Sequence, residues 1–244
     1  MSKVLVTESY LSDIADAIRS KNGETTAYKP SQMASAIESI ESGSSCGEDT
    51  LYQMLANTLT EYSNDKLTSL PAYAFRGCAS LVSVSFPECT IIGQSAFQIT
   101  GNVGKDNLAN VNMPKLKEVG ATGFYGCAKI TELTFPHLKY INATAFSGCS
   151  GLTKFDCGLN NTDTISTYFS QASFKNCTSL VALILRKTNQ IYTLQNANAL
   201  TNTPIANGTG FIYVPQTLLE TYKSAPYWST YADQIVAIEG SEYE

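Results

Sequence analysis

Residues 116–136 read LKEVGATGFYGCAKITELTFP, and this stretch decides the fold. Its landmarks are a small residue followed by an aromatic at 123–124, and a cysteine at position 127. The alternating run Leu133–Phe135 predicts a short strand with one buried face. Pro136 then ends the strand, because proline has no N–H to donate to a neighbouring strand. A unit this short cannot bury its own apolar residues, so several copies must stack into one core.

The same unit recurs along the chain, which predicts a repeat protein. Five copies align on Phe75, Phe97, Phe124, Phe146 and Phe174, with intervals of about 22 to 28 residues. Three positions later stand Cys78, Cys127, Cys149 and Cys177, whereas the second copy has Thr100. We expect these cysteines to fill one recurrent core slot, because a column of thiols does not form the tetrahedron that zinc requires. A disulfide between neighbouring copies is the weaker alternative.

The unit in residues 116–136 resembles the BspA-type leucine-rich repeat, whose pattern is LxxIgxxAFxxCxxLxxLxLP. The resemblance extends over roughly residues 60–214. It implies a solenoid that serves in ligand binding, adhesion or surface display rather than in catalysis. We therefore predict a mostly β fold with some α-helix, in which a leucine-rich repeat solenoid of about 5–6 coils occupies residues 50–210.

The two ends of the chain predict different elements. Residues 1–40 predict a helical hairpin, since apolar residues recur at helical spacing in two stripes: Leu11, Ile14 and Ile18, then Met33, Ile37 and Ile40. Two such helices cannot form a core alone, so we expect an attachment or oligomerisation module. Residues 41–49 predict a flexible linker by composition. Residues 211–244 predict an α/β cap, whose aromatic residues would cover the open end of the last coil.

A second resemblance concerns the N-terminus. The order VLVTESYLSDIADAIRSKNG, followed by YKPSQMASAI, is similar to a small module of phage and prophage structural proteins, and the segment 212–235 is similar to their closing segment. This implies a non-enzymatic tail or fibre component of a virion, made in the host cytoplasm and released by lysis. Its helices would bind other virion proteins or copies of itself. The alternative is an adhesin of the repeat family at the bacterial cell surface.

Composition excludes some classes of partner. The net charge is −5, and no run of basic residues could bind nucleic acid. No apolar stretch is long enough for a membrane helix, so we expect no membrane insertion. The first ten residues also lack the apolar core of a signal peptide.

The outward strand positions predict the binding face. These residues alternate with the core: Ser83, Ser85, Asn110, Asn112, Glu132, Thr134, Lys154 and Asp156, followed by Ala182 and Ile184. Such short, mostly polar side chains can hydrogen-bond a host surface protein or glycan at little entropic cost. A solvated sheet without a ligand is an equal alternative.

No catalytic, cofactor-binding or metal-binding residue is predicted. The single histidine, His137, falls in a turn between two units. A glycan hydrolase that uses Glu132 and Asp156 is a weaker hypothesis. Their neighbours Thr134 and Lys154 indicate a solvated face instead.

Overall fold

The computed structural model describes residues 58–99, 106–159 and 166–244. They lie within one of the two compact units of the chain, Asn57–Glu244. The predicted linker and helical hairpin, with the attachment residues Leu11, Ile14, Ile18, Met33, Ile37 and Ile40, lie outside the described residues. The hairpin and the division of the chain into four segments therefore stay predictions.

The described residues form two ladders of short parallel strands. The front ladder contains β1 (Glu61–Ser63), β3 (Ser83–Ser85), β5 (Asn110–Asn112), β7 (Glu132–Phe135), β9 (Lys154–Cys157), β11 (Ala182–Leu185), β13 (Phe211–Val214) and β14 (Ile235–Ala237). The back ladder contains β2 (Ser69–Leu70), β4 (Ile91–Ile92), β6 (Glu118–Val119), β8 (Tyr140–Ile141), β10 (Thr167–Phe169) and β12 (Tyr192–Leu194). All pairs are parallel, because every coil repeats the same path from front to back.

The mostly β solenoid is thus confirmed, with a correction to its length. Six front-to-back turns are complete in the described residues, and β13 begins a seventh, so there are about seven turns rather than 5–6. The predicted solenoid, residues 50–210, includes the first turn, but the count was too low because β1, Glu61–Ser63, precedes the first phenylalanine anchor. Strand β13 was assigned to the cap, whereas it pairs with β11 and continues the front ladder.

A column of stacked phenylalanines forms the centre of the core. Rings of consecutive anchors lie 5.4, 5.0, 5.4 and 5.4 Å apart, with interplanar angles of 2° to 8°. The column consists of Phe75, Phe97, Phe124, Phe146 and Phe174, and all five are buried. The predicted alignment on these residues is confirmed. The parallel geometry follows from the repeat, since each coil places the same side chain one strand spacing further along the axis.

The recurrent cysteines are structural. The thiols of Cys127, Cys149 and Cys177 donate to the carbonyl oxygens of Phe97, Phe124 and Phe146, at 3.3, 3.1 and 3.1 Å. These cysteines are free thiols, and burial raises the pKa of Cys177 to about 12. The predicted core role is confirmed. Each thiol ties one coil to the preceding one while it fills an apolar slot.

Each coil turns sharply around its phenylalanine. The residue two positions before each anchor has a positive φ: Tyr73, Ser95, Thr122, Thr144 and Ala172, at 51° to 64°. Two positions after the anchor, Gly77, Gly126, Gly148 and Asn176 also have positive φ. Left-handed backbone is unfavourable for most side chains, so the later position favours glycine or asparagine.

The front ladder is interrupted once. Strand β5 ends a three-stranded sheet and β7 begins a five-stranded one, although the back strands β6 and β8 of the same coils are paired. Val111, at a core position of β5, is half-buried, whereas the equivalent Val84 and Leu133 are buried. Nearby, Asp106 is fully buried and accepts a hydrogen bond from the Lys129 N–H at 3.0 Å.

The C-terminal segment closes the solenoid as predicted. It contains a 3-10 helix (Gln216–Leu218), α1 (Leu219–Ser224) and a second 3-10 helix (Trp228–Gln234). Trp228 is fully buried against Phe169, and its indole N–H donates to the Tyr192 carbonyl at 2.6 Å. The Tyr222 hydroxyl accepts from the Tyr192 N–H at 2.9 Å. Tyr227, another aromatic residue of this segment, is exposed.

Candidate binding face

Two rows of outward side chains cross the front ladder. One row runs through Glu61, Ser83 and Asn110, and then through Glu132, Lys154, Ala182 and Phe211. The other runs through Ser63, Ser85 and Asn112, and then through Thr134, Asp156, Ile184, Tyr213 and Val236. We call these two rows the front face. The eight predicted binding residues lie on it in the expected order, but whether they bind a ligand stays a prediction.

The first part of the front face is polar and partly pre-organised. Ser83 and Ser85 are half-buried, while Asn110, Asn112 and Thr134 are exposed. The Asn112 amide donates to the Ser85 hydroxyl at 2.9 Å, which links two neighbouring coils. This hydrogen bond fixes the Asn112 side chain, so less conformational entropy is lost when a partner binds it.

The middle of the front face carries two cross-strand ion pairs. Lys154 pairs with Glu132 on the neighbouring strand, and the Arg186 Nε donates to both Asp156 oxygens at 2.8 and 3.0 Å. Glu132 and Asp156 lie on adjacent strands, since Asp156 is opposite Thr134. Each carboxylate is compensated by its own cation. Since hydrolysis would need one protonated carboxyl group and one free carboxylate, this arrangement favours a binding surface.

The last part of the front face is apolar and buried, whereas the alternation of the strands predicts outward residues there. Ala182 and Ile184 face outward by register, yet both are buried. Tyr213 lies beside Ile184 on the next strand, and the C-terminal residue Tyr243 packs edge-on against Tyr213, with ring centroids 4.6 Å apart. Partial burial, and then Glu242, raise the pKa of the Tyr243 hydroxyl, with smaller contributions from Tyr213 and Glu132.

An aromatic corner at the end of the front face was missed by sequence reasoning. Phe211 is exposed, and its ring lies 6.4 Å from that of Tyr213. The alternation in the run FIYV indicates the strand Phe211–Val214, and extending the outward rows by this one strand would have included both residues. The contact with Tyr243 has no such signal, since it depends on the turn at Gly240, where φ is +81°.

In the part of the chain that the structure describes, no group of three or more His, Cys, Asp or Glu side chains could hold a metal ion. Among the same residues, no helix has the length and apolar character needed to cross a membrane. His137 lies in the turn after β7, as expected, and is half-buried.

The fold and its repeated outward rows define a leucine-rich repeat solenoid. The chain belongs to the BspA-type leucine-rich repeat region family, whose model matches residues 24–105 and 103–213 in six copies. The match begins inside the predicted helical hairpin and gives no support to it. A comparison with curated protein sequences gives no match.

Two solved structures are similar to this chain. One is a leucine rich cell surface protein from Faecalibacterium prausnitzii, with 20% identity and a TM-score of 0.47 over 64% of this chain and 39% of that one. The other is a leucine-rich repeat protein from Bacteroides ovatus, with 20% identity and a TM-score of 0.41 over 66% of this chain and 45% of that one. The chain spans less than half the length of either.

Proposed function

We propose that this chain is a non-catalytic binding protein of a bacterial cell surface, and that its front face contacts a host surface protein or glycan. Membership of the BspA-type repeat family supports this proposal, because the resemblance implies adhesion or display. The observation that carries it is the front face itself. Polar and charged side chains from neighbouring coils lie in register there, and cross-coil contacts such as Asn112–Ser85 fix them.

The proposal predicts that charge added to the front face abolishes adherence. The test measures how fluorescently labelled full-length chain adheres to cultured epithelial cells. Asn110→Lys with Asn112→Lys should reduce adherence at least tenfold, because two long cations would displace the short amides that the partner contacts. Both asparagines are exposed, so the fold should tolerate the change.

A matched control keeps the added charge but moves it. Ser69→Lys with Thr193→Lys adds the same two cations at exposed positions of the back ladder. This control should adhere like the unaltered chain. Equal losses in both double variants, or no loss in the front-face variant, would refute the proposed role of the front face.

The location at the cell surface has its own test. Protease treatment of intact producing cells should remove the protein. An antibody against residues 58–244 detects what remains. Full protection in intact cells, together with digestion after lysis, would contradict the proposal.

The second candidate function is a structural protein of a phage virion. It rests on the N-terminal order VLVTESYLSDIADAIRSKNG, which is similar to a module of such proteins. On this hypothesis, deletion of residues 1–45 should leave a folded repeat unit but prevent incorporation into particles and oligomerisation. Mass spectrometry of purified particles from the induced host tests it. Absence of the full chain from particles, or normal incorporation of the deletion variant, would exclude this function.

A further inference from the structure

The back ladder presents an outward row of different character from the front face. Its register joins Ser69, Ile91, Glu118, Tyr140, Tyr168 and Thr193 on consecutive strands. Each of these residues alternates with a buried neighbour, such as Ile141 after Tyr140 and Phe169 after Tyr168. The row therefore lies on the outer surface of the solenoid, on a different sheet from the proposed adherence site.

Two tyrosines form a continuous aromatic floor within this row. The rings of Tyr140 and Tyr168 lie 5.1 Å apart with an interplanar angle of 37°, and both residues are half-buried. Each tyrosine has only two side-chain torsions, so a pair held in contact offers a large apolar surface at low entropic cost. Tyrosine is also enriched among the residues that dominate binding energy at interfaces.

A hydrogen-bond chain fixes polar groups at the edge of the floor. The Tyr168 hydroxyl donates to the side-chain oxygen Oδ1 of Asn142 at 3.1 Å, and Asn142 Nδ2 donates to Glu118 Oε1 at 2.9 Å. Partial burial, and then the nearby Glu118 charge, raise the pKa of Tyr168, so its hydroxyl keeps the proton that it donates. The chain crosses three consecutive coils, from β10 to β8 to β6.

Some polar groups remain available after this chain is formed. The chain uses Glu118 Oε1 but not Oε2, and it does not include the Tyr140 hydroxyl. Asn142 keeps one further amide N–H. The floor is thus edged by a carboxylate acceptor, an amide donor and a hydroxyl that can do both.

We propose that the Tyr140–Tyr168 floor, with Glu118 and Asn142, binds a pyranose unit of a neutral glycan. A pyranose ring has an apolar face of C–H groups, which stacks on the tyrosine rings, and equatorial hydroxyls at its rim, which bond to the carboxylate and the amide. The carboxylate disfavours an anionic ligand by like-charge repulsion. This site goes beyond the proposed adherence function, because it uses the opposite ladder.

The test is isothermal titration of the full chain with three neutral probes: cellohexaose, chitohexaose and mannohexaose. At least one should bind. Tyr140→Ala and Tyr168→Ala should each weaken binding at least tenfold, because each removes half of the floor. Glu118→Gln should weaken it severalfold, since it replaces a charged acceptor by a neutral amide.

Two controls separate this site from the front face and from loss of fold. Tyr213→Ala removes a half-buried tyrosine of the front face, and it should weaken glycan binding less than Tyr140→Ala or Tyr168→Ala does. Thermal unfolding of every variant checks that the coils are intact. The proposal is overturned if none of the probes binds at millimolar concentration, or if folded Tyr140→Ala and Tyr168→Ala proteins bind as the unaltered chain does. A loss confined to Tyr213→Ala would overturn it as well, and would assign the glycan to the front face.

Discussion

Replacing Phe146 with alanine should cost about 4 to 5 kcal/mol of the free energy of unfolding. The Phe146 side chain is fully buried in the middle of the phenylalanine column. Its ring stacks on Phe124 and Phe174, each with centroids 5.4 Å away, and meets Phe155 edge-on at 5.1 Å. Truncation of a buried phenylalanine costs about 3 to 5 kcal/mol. We expect the upper part of this range, because the lost ring pairs add about 0.5 to 1.5 kcal/mol each.

The assay is equilibrium unfolding in urea, followed by two probes. Far-ultraviolet circular dichroism reports on all coils, and the fluorescence of Trp228, the one tryptophan of the chain, reports on the cap. Domains of this size class have about 5 to 15 kcal/mol of stability, so the alanine variant can approach complete unfolding. Phe146→Leu keeps the site apolar and should lower the free energy of unfolding by about 2 kcal/mol. This smaller loss is measurable even if the alanine variant is unfolded.

A matched control uses the same substitution on the surface. Phe211 is 41% exposed and contacts one ring at 6.4 Å, so Phe211→Ala should cost about 1 kcal/mol or less. If Phe146→Ala lost less than about 1.5 kcal/mol, or no more than Phe211→Ala, the column could not be the main connection between coils.

Three further predictions concern the backbone and the buried thiols. Gly126→Ala should destabilise the protein by about 1 to 2 kcal/mol, because φ at this position is +78°. The added Cβ meets only ordinary contacts, so no steric clash adds to this cost. Ala172→Gly, at φ 51°, should be neutral or stabilising, and urea unfolding measures both variants. Cys149 and Cys177 should resist iodoacetamide at pH 8 until urea unfolds the chain, since burial raises both pKa values; peptide mass spectrometry detects the adducts, and rapid labelling of the native protein would contradict their buried position. These thiols should not affect the free energy of unfolding below pH 9.0, whereas above it each should lower this free energy by about 1.4 kcal/mol per pH unit. The reason is that the unfolded thiol then ionises, while the folded Cys177 thiol stays neutral up to about pH 12. Cys177→Ala should reduce the slope of stability against pH, and an unchanged slope would refute the effect.

The repeat core could be predicted from sequence because its signals are local and repeated. The phenylalanine anchors, the cysteines three positions later and the apolar strand positions each recur at least four times, so chance matches average out. The alternation within each strand also gave the correct outward positions from Ser83 to Asp156. These features depend only on the period of a strand and on the stacking of equal units.

The end of the front face could not be predicted because it depends on contacts between distant segments. Ala182 and Ile184 alternate correctly but are buried, and the contact of Tyr243 with Tyr213 comes from a later segment of the chain. The first coil lies within the predicted solenoid, but its front strand was not counted as a repeat unit for a similar reason. Strand β1 carries Tyr62 at its core position, and no phenylalanine anchor precedes it in the sequence. Its pairing with β3 is what shows that it belongs to the solenoid.

The two outward surfaces follow from one constraint. Because the core requires an apolar or small side chain at the same position in every coil, polar and charged residues vary mainly at positions that face outward. In the front ladder these positions change from short polar residues to ion pairs and then to Phe211 and Tyr213. In the back ladder they bring together Glu118, Tyr140 and Tyr168. Solubility alone does not require tyrosines on neighbouring coils, one of them held by a chain of hydrogen bonds. The positions that vary between coils are therefore the ones that experiments on binding should address first.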